Sequence, residues 1–190
     1  MDGEIQINMS AKNKQLNIAS MTKIALLTAL LCVSSYFVIP LPFTPSVLSM
    51  HTIMVNIIGL ILKPSEAIYT ILIYLLMGVI GIPVFSGGSA GVGKLFGATG
   101  GFYFGFLFAV MAISLCKGKK RRLFRYIVVT VGLGLPIQHI CAVLFMCFHN
   151  GFQVKSAIIT ISLPFLFGDM IKCIMASILG VKMNQVLSNQ

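Results

Sequence analysis

Long apolar runs dominate the chain, and short polar, glycine-rich or proline-rich segments separate them. Six runs lie near 17–39, 46–62, 65–81, 94–116, 124–147 and 168–187. Each approaches the roughly 17–25 residues that a membrane-spanning helix needs; the second and third are the shortest. The pattern predicts an all-α integral membrane domain over 16–190 with six transmembrane helices, after a polar cytoplasmic tail at 1–15. Pro40, Pro42 and Pro45 are expected to end the first helix, because proline lacks the N–H donor and clashes with the preceding turn. Lys63-Pro64-Ser65-Glu66 reads as a tight turn, with Ser65 as cap and Glu66 favouring the positive helix end. Gly81-Ile82-Pro83 closes the third helix, and Lys117-Gly118-Lys119-Lys120 closes the fourth. Between 148 and 167, the apolar stretch Ala157–Leu163 is too short to span and ends at Pro164. It is expected to form a short extra helix in an outer loop, ahead of a last span that starts at Gly168.

Composition supports the membrane assignment. Of 190 residues, 57% are hydrophobic and 9% charged, against about 25% charged in soluble domains. Mean hydropathy is +0.98. No small-residue cleavage site follows the first apolar run, so a retained helix is expected there rather than a signal peptide. Net charge is +10, and six of the fourteen basic residues fall between Lys117 and Arg125. With the N-terminus inside, eleven basic residues face the cytoplasm, Lys94 and Lys155 face outward, and Lys172 stays in the membrane. That asymmetry predicts a multi-pass plasma-membrane protein with both termini cytoplasmic. It puts the segments 40–45, 82–93 and 148–167 outside. The basic cluster suits acidic lipid headgroups, and no aromatic or glycine-rich readout module accompanies it to suggest nucleic acid. The five cysteines are scattered through apolar segments without a C-x-x-C pair, as small core hydrophobes are.

Against this background, Asp169 and Lys172 stand out. A charge at the centre of a spanning helix costs about 2.5–3.5 kcal/mol on insertion scales, so intramembrane charges pair with each other and mark function. Three residues apart, these two share a helix face. Two readings are open: Asp169 caps the last helix and Lys172 merely pairs with it, or the pair also meets a ligand. A second unusual segment, 78–101, contains nine glycines, more than a turn needs, and suggests a structured loop over a pocket. It does not complete the phosphate-binding motif G-x-x-x-x-G-K-[ST], because Leu95 follows Lys94. Ala25 and Ala29 form a small-xxx-small pair, as do Gly101 and Gly105. His51, Gln138, His139 and His149 do not have metal-ligand spacing, and no nucleophile–base arrangement points to catalysis.

Three stretches carry a resemblance to a known family: Gly81-Ile82-Pro83-Val84-Phe85-Ser86-Gly87-Gly88; Thr99-Gly100-Gly101-Phe102 with Gly105-Phe106; and Pro164-Phe165-Leu166-x-Gly168-Asp169-x-x-Lys172. Together, over about 20–185, they resemble the BioY family, the biotin-binding S components of energy-coupling-factor (ECF) vitamin transporters. The resemblance implies six transmembrane helices and biotin as transported ligand, with no cofactor and no enzymatic activity. It implies a transmembrane coupling subunit and two ATPase subunits as partners, and docking through Ala25 and Ala29. It implies ligand contacts from Asp169 and Lys172, with pocket walls from Phe85, Gly87, Gly88, Ser89, Thr99 and Tyr103. Biotin's chemistry matches: its ureido N–H groups suit a carboxylate, its carbonyl or tail acid an ammonium, and its ring an apolar wall from Phe85, Phe165 and Phe167. The chain departs from the family pattern at Ala98 and Phe167, where prolines are usual, and at His51, where glutamine is usual. The last departure leaves the second helix without an implied contact. The remaining alternatives are an S component for another vitamin, and a structural membrane subunit in which Asp169–Lys172 is a packing ion pair.

Overall fold

The apolar runs fold as helices in the computed structural model, which describes residues 18–40, 47–118 and 122–186. The helices are α1 (Ile18–Ser34), α2 (His51–Ile61), α3 (Pro64–Val79), the single turn α4 (Val92–Leu95), α5 (Gly100–Cys116), α6 (Leu123–Val129), α7 (Leu135–Asn150), α8 (Val154–Ala157) and α9 (Leu163–Val186). A small antiparallel ladder, β1 (Val38–Pro40) with β2 (Val47–Ser49), joins α1 to α2 and pairs Ile39 with Leu48. The expected tail at 1–15, Pro42, Pro45 and Lys119–Arg121 lie outside the described residues.

Two π-helical segments merge neighbouring helices. Thr130–Gly134 joins α6 to α7, and Ile158–Ser162 joins α8 to α9. Each π segment ends two residues before a proline, Pro136 and Pro164. A proline in mid-helix removes one backbone donor and crowds the preceding turn. A local π adjustment accommodates both defects and lets the helix continue. This corrects the expected break at Pro164. Ala157–Leu163 is no separate outer helix; residues 154–186 form one helical run, and Asp169 lies near its middle rather than at its start. Asp169 therefore caps nothing.

Other boundaries shift for local reasons. α1 ends at Ser34, ahead of Pro40, where Ser35 and Tyr36 donate to the carbonyls of Cys32 and Val33 in a closing turn. At the start of α3, Ser65 does not cap. The Lys63 N–H donates instead to the Glu66 carboxylate at 3.2 Å, with Pro64 in the first turn, where a missing N–H is harmless. Leu123–His149 and Leu163–Val186 are long and apolar enough to cross a membrane by themselves, whereas α1, α2, α3 and α5 are shorter apolar helices.

The bundle is apolar outside and partly polar inside. Leu26, Leu72, Phe108, Leu115, Phe124 and Phe148 are exposed, while Asn56, Thr70, Gln138, His139, Asp169 and Lys172 are buried. Soluble proteins rarely expose so much contiguous apolar surface, and lipid is the solvent that suits it. Glycines bring helix backbones together, as the Gly101–Gly105 pair suggests. A Cβ on Gly101 would lie 2.7 Å from Ala142 Cα, and one on Gly105 would lie 3.0 Å from Gln138 Cα. α5 and α7 thus meet through small surfaces, and Phe102 near the start of α5 meets Phe165 near the start of α9, with ring centroids 6.5 Å apart.

Candidate functional site

Asp169 and Lys172 face inward from α9, both almost fully buried. The Lys172 ammonium lies 3.0 Å from Asp169 Oδ1 and donates to the Ser49 carbonyl oxygen at 2.7 Å. On the other side of the carboxylate, His139 Nε2 of α7 lies 3.4 Å from Oδ2. The far ring nitrogen of His139, Nδ1, sits 3.1 Å from Ser162 Oγ. A buried charge pair survives only when its geometry is good and further hydrogen bonds occupy its remaining donors and lone pairs. Ser49 supplies such a hydrogen bond and His139 a close polar neighbour to the second oxygen, so the pair stands as a fixed polar surface.

This surface borders a cavity of about 170 Å³. Its walls come from Ser49 in β2, His51 and Thr52 in α2, and Ser86, Gly87, Lys94 and Thr99 in the glycine-rich region. Phe102, Tyr103 and Phe106 of α5 and Phe165 of α9 complete it. The size falls below the ~300–1,000 Å³ typical of pockets that enclose drug-sized ligands. It suits a compact ring system better than an extended cofactor.

The glycine-rich region is a folded loop. The Phe85 N–H donates to the Ser89 carbonyl at 2.8 Å, closing a tight hairpin. Gly87 and Gly88 at its tip have φ of 74° and 70°, a conformation that side chains disfavour. The Gly87 N–H reaches the Ser35 carbonyl at 2.9 Å, and a Cβ on Gly88 would press within 3.0 Å of the Tyr36 ring. Tyr36 in turn donates to the Pro83 carbonyl at 2.8 Å. The end of α1 thus holds the loop over the cavity. From below, the Tyr103 hydroxyl accepts the Ser86 N–H at 3.0 Å.

Among the residues expected to contact ligand, Asp169, Lys172, Gly87, Thr99 and Tyr103 line the cavity. Phe85, Gly88 and Ser89 do not. Phe85 is fully buried behind Tyr103, with ring centroids 4.7 Å apart, and lies over Gly78. Gly88 faces Tyr36, and Ser89 Oγ donates back to the Ser86 carbonyl at 2.8 Å. These three build the loop that carries Ser86 and Gly87. Phe167 is also displaced: it is 73% exposed on the outer face of α9, while Phe165, two residues away, turns inward.

Ser86 and Phe102 lie within the loop and the Thr99–Tyr103 segment that the resemblance implied as walls, whereas sequence reasoning missed Ser49, His51, Thr52, Lys94 and Phe106. The second helix does contribute, through the residue that departs from the family pattern. His51 Nε2 lies 2.8 Å from the Tyr74 hydroxyl and Nδ1 lies 3.0 Å from Ser49 Oγ. Its ring stacks on Phe106 at a centroid distance of 6.0 Å. A histidine with both nitrogens engaged and a stacked face is a rigid part of the wall. The signal for Phe106 was its spacing: it lies four residues after Phe102 and three after Tyr103, where side chains on a helix are neighbours. Among the described residues, no group of three or more His, Cys, Asp or Glu side chains is placed to hold a metal ion.

Chemically, the cavity offers one carboxylate acceptor, ammonium donors, a backbone-rich loop and an aromatic floor. Comparison with known proteins gives this arrangement a context. The chain is 36% identical over 172 residues to a biotin transporter, BioY2, of Lactococcus lactis subsp. cremoris (strain MG1363), a match covering 90% of this chain and 92% of that one. It is 32% identical over 182 residues to a probable biotin transporter BioY of Bacillus subtilis (strain 168), covering 91% and 94%. The fold matches the crystal structure of the S-component for biotin from an ECF-type ABC transporter with a TM-score of 0.82, covering 91% of this chain and 94% of that one at 21% identity. The BioY family model matches residues 9–189, nearly the full length, and the chain belongs to the BioY family.

Proposed function

We propose that this chain is the biotin-specific substrate-binding subunit of an ECF-type uptake transporter, and that the cavity beneath the glycine-rich loop is its biotin site. The observation that carries this reading is the Asp169–Lys172 pair, held by His139 and Ser49 at the edge of an aromatic cavity. The Asp169 carboxylate accepts hydrogen bonds from the ureido N–H groups, Lys172 donates its remaining N–H to a ligand oxygen, and Phe102, Phe106 and Phe165 cover the thioether ring. Gly87, Thr99 and Tyr103 complete the walls, and Phe85, Gly88 and Ser89 shape the loop without touching biotin. The protein binds and carries its ligand; it performs no catalysis.

In this reading, 16–190 form one membrane domain after a polar tail at 1–15. The six spans are α1, α2, α3, α5, the α6–α7 rod and the α8–α9 rod. The charge asymmetry supports cytoplasmic termini in the plasma membrane, which turns the β1–β2 ladder and the glycine-rich loop outward. The chain lacks a G-x-x-x-x-G-K-[ST] motif, so energy comes from partners: a transmembrane coupling subunit and two ATPase subunits. Ala25 and Ala29 line an apolar groove between α1 and α3 with Ile24, Tyr69, Ile73 and Met77, which suits docking of an apolar helix of the coupling subunit.

A thermal-shift screen of the purified protein against vitamins tests the ligand. Biotin alone should stabilise it; stabilisation by thiamine or riboflavin and not by biotin would move the chain to another vitamin.

A further inference from the structure

The charges around the cavity do not cancel. Asp169 is matched by Lys172 at 3.0 Å. Lys94 lines the same cavity, yet among the described residues its ammonium has no hydrogen bond or ion pair. The sequence holds three other acids. Glu66 is engaged at the start of α3 with the Lys63 N–H, and Asp2 and Glu4 lie outside the described residues. An unpaired lysine on an open surface is commonplace. Lys94 differs because it borders a cavity whose other cation is already committed to a carboxylate and a backbone carbonyl.

The backbone at Lys94 is also held. The Gly91 N–H donates to the Gly78 carbonyl at 2.8 Å, the Lys94 N–H to the Gly91 carbonyl at 3.2 Å, and the Gly97 N–H to the Lys94 carbonyl at 3.3 Å. The next side chain, Leu95, is buried in the core. α4 therefore presents Lys94 from a fixed point on the glycine-rich wall, on a different element from the Asp169–Lys172 pair.

We propose that Lys94 is a specificity-determining residue that selects ligands bearing a free carboxylate and discriminates against their amide-conjugated forms. The proposal rests on the biotin reading above. With the ureido group at Asp169 and Lys172, the ligand's acid is the only anion available to balance Lys94. Pairing the two forms a charge-assisted hydrogen bond, and an amide forms a weaker, neutral one. The acid-to-amide preference then arises at α4 and not at α9.

The test measures binding of biotin and of uncharged biotinamide to the purified full chain, as wild type, Lys94→Gln and Lys94→Arg. The wild type should prefer biotin on the order of tenfold. Lys94→Gln should lose that preference by weakening biotin alone, and Lys94→Arg should keep it. Equal weakening of both ligands by Lys94→Gln, or no weakening of either, overturns the proposal while leaving the biotin reading intact. A wild type that binds neither ligand overturns the biotin reading, and the proposal with it.

Discussion

His139 Nε2 and Asp169 Oδ2 lie 3.4 Å apart, while Lys172 holds Oδ1 of the same carboxylate at 3.0 Å. The acid is thus gripped from two helices, one oxygen each. His139 does not line the cavity, so its action on a ligand passes through Asp169. Replacing it with leucine should weaken biotin binding on the order of tenfold, since taking a polar neighbour away from a buried charge costs about 1–3 kcal/mol. His139→Gln, which keeps a donor, should recover part of that loss. Isothermal titration of both variants checks this; equal affinities for the two would show that His139 acts by packing alone.

Burial also shapes the far end of the bundle. Lys117, just beyond α5, donates to the carbonyl oxygens of Leu62 and Gly59 at the end of α2. Those carbonyls lack helical partners and carry partial negative charge. Desolvation nevertheless lowers the Lys117 pKa to about 8, with Glu66 opposing. The folded-state value is then below the unfolded one, so the unfolded chain binds more protons between the two and stability rises with pH there. The melting temperature of the wild type, relative to Lys117→Met, should climb between about pH 8 and pH 10 and stay flat below pH 7. A difference that falls with pH would contradict the sign.

Close helix contact makes a separate, purely structural prediction. Gly101 has no room for a side chain against Ala142 and Phe145. Gly101→Leu should cost about 1–3 kcal/mol or more, as overpacked cores do, and should spread α5 from α7. Thermal unfolding in detergent reads this directly. An unchanged transition would mean that the two helices sit farther apart than described.

Much of this was legible in the residues. Apolar run lengths located every long helix, because in lipid the helix is the way a single segment satisfies its own backbone. The three short motifs located both walls of the cavity. Pro164 misled for a physical reason: proline normally ends a helix, and a π turn that rescues it leaves no pattern in the apolar periodicity. Pro136 follows its own π segment at the same spacing, so the pairing is visible only once the backbone is known. His139 and His51 were passed over because their partners, Asp169 and Tyr74, are distant in sequence. Phe85 was placed in the wall because a motif names residues together without saying which side chain faces in. Here Tyr103 stands between Phe85 and the cavity.

The central claim is that Asp169, fixed by Lys172 and His139, receives biotin. Titration of labelled biotin into the purified wild-type chain and Asp169→Asn tests it most directly, with thermal unfolding of both in parallel. Asparagine keeps the shape, removes the charge that Lys172 answers, and halves the acceptor capacity. Saturable binding to the wild type should be weakened at least about a hundredfold in Asp169→Asn, the effect expected when one partner of a buried charge pair is lost, in a variant that still unfolds cooperatively. Equal affinity in a well-folded Asp169→Asn, or no binding to the wild type, would contradict the account.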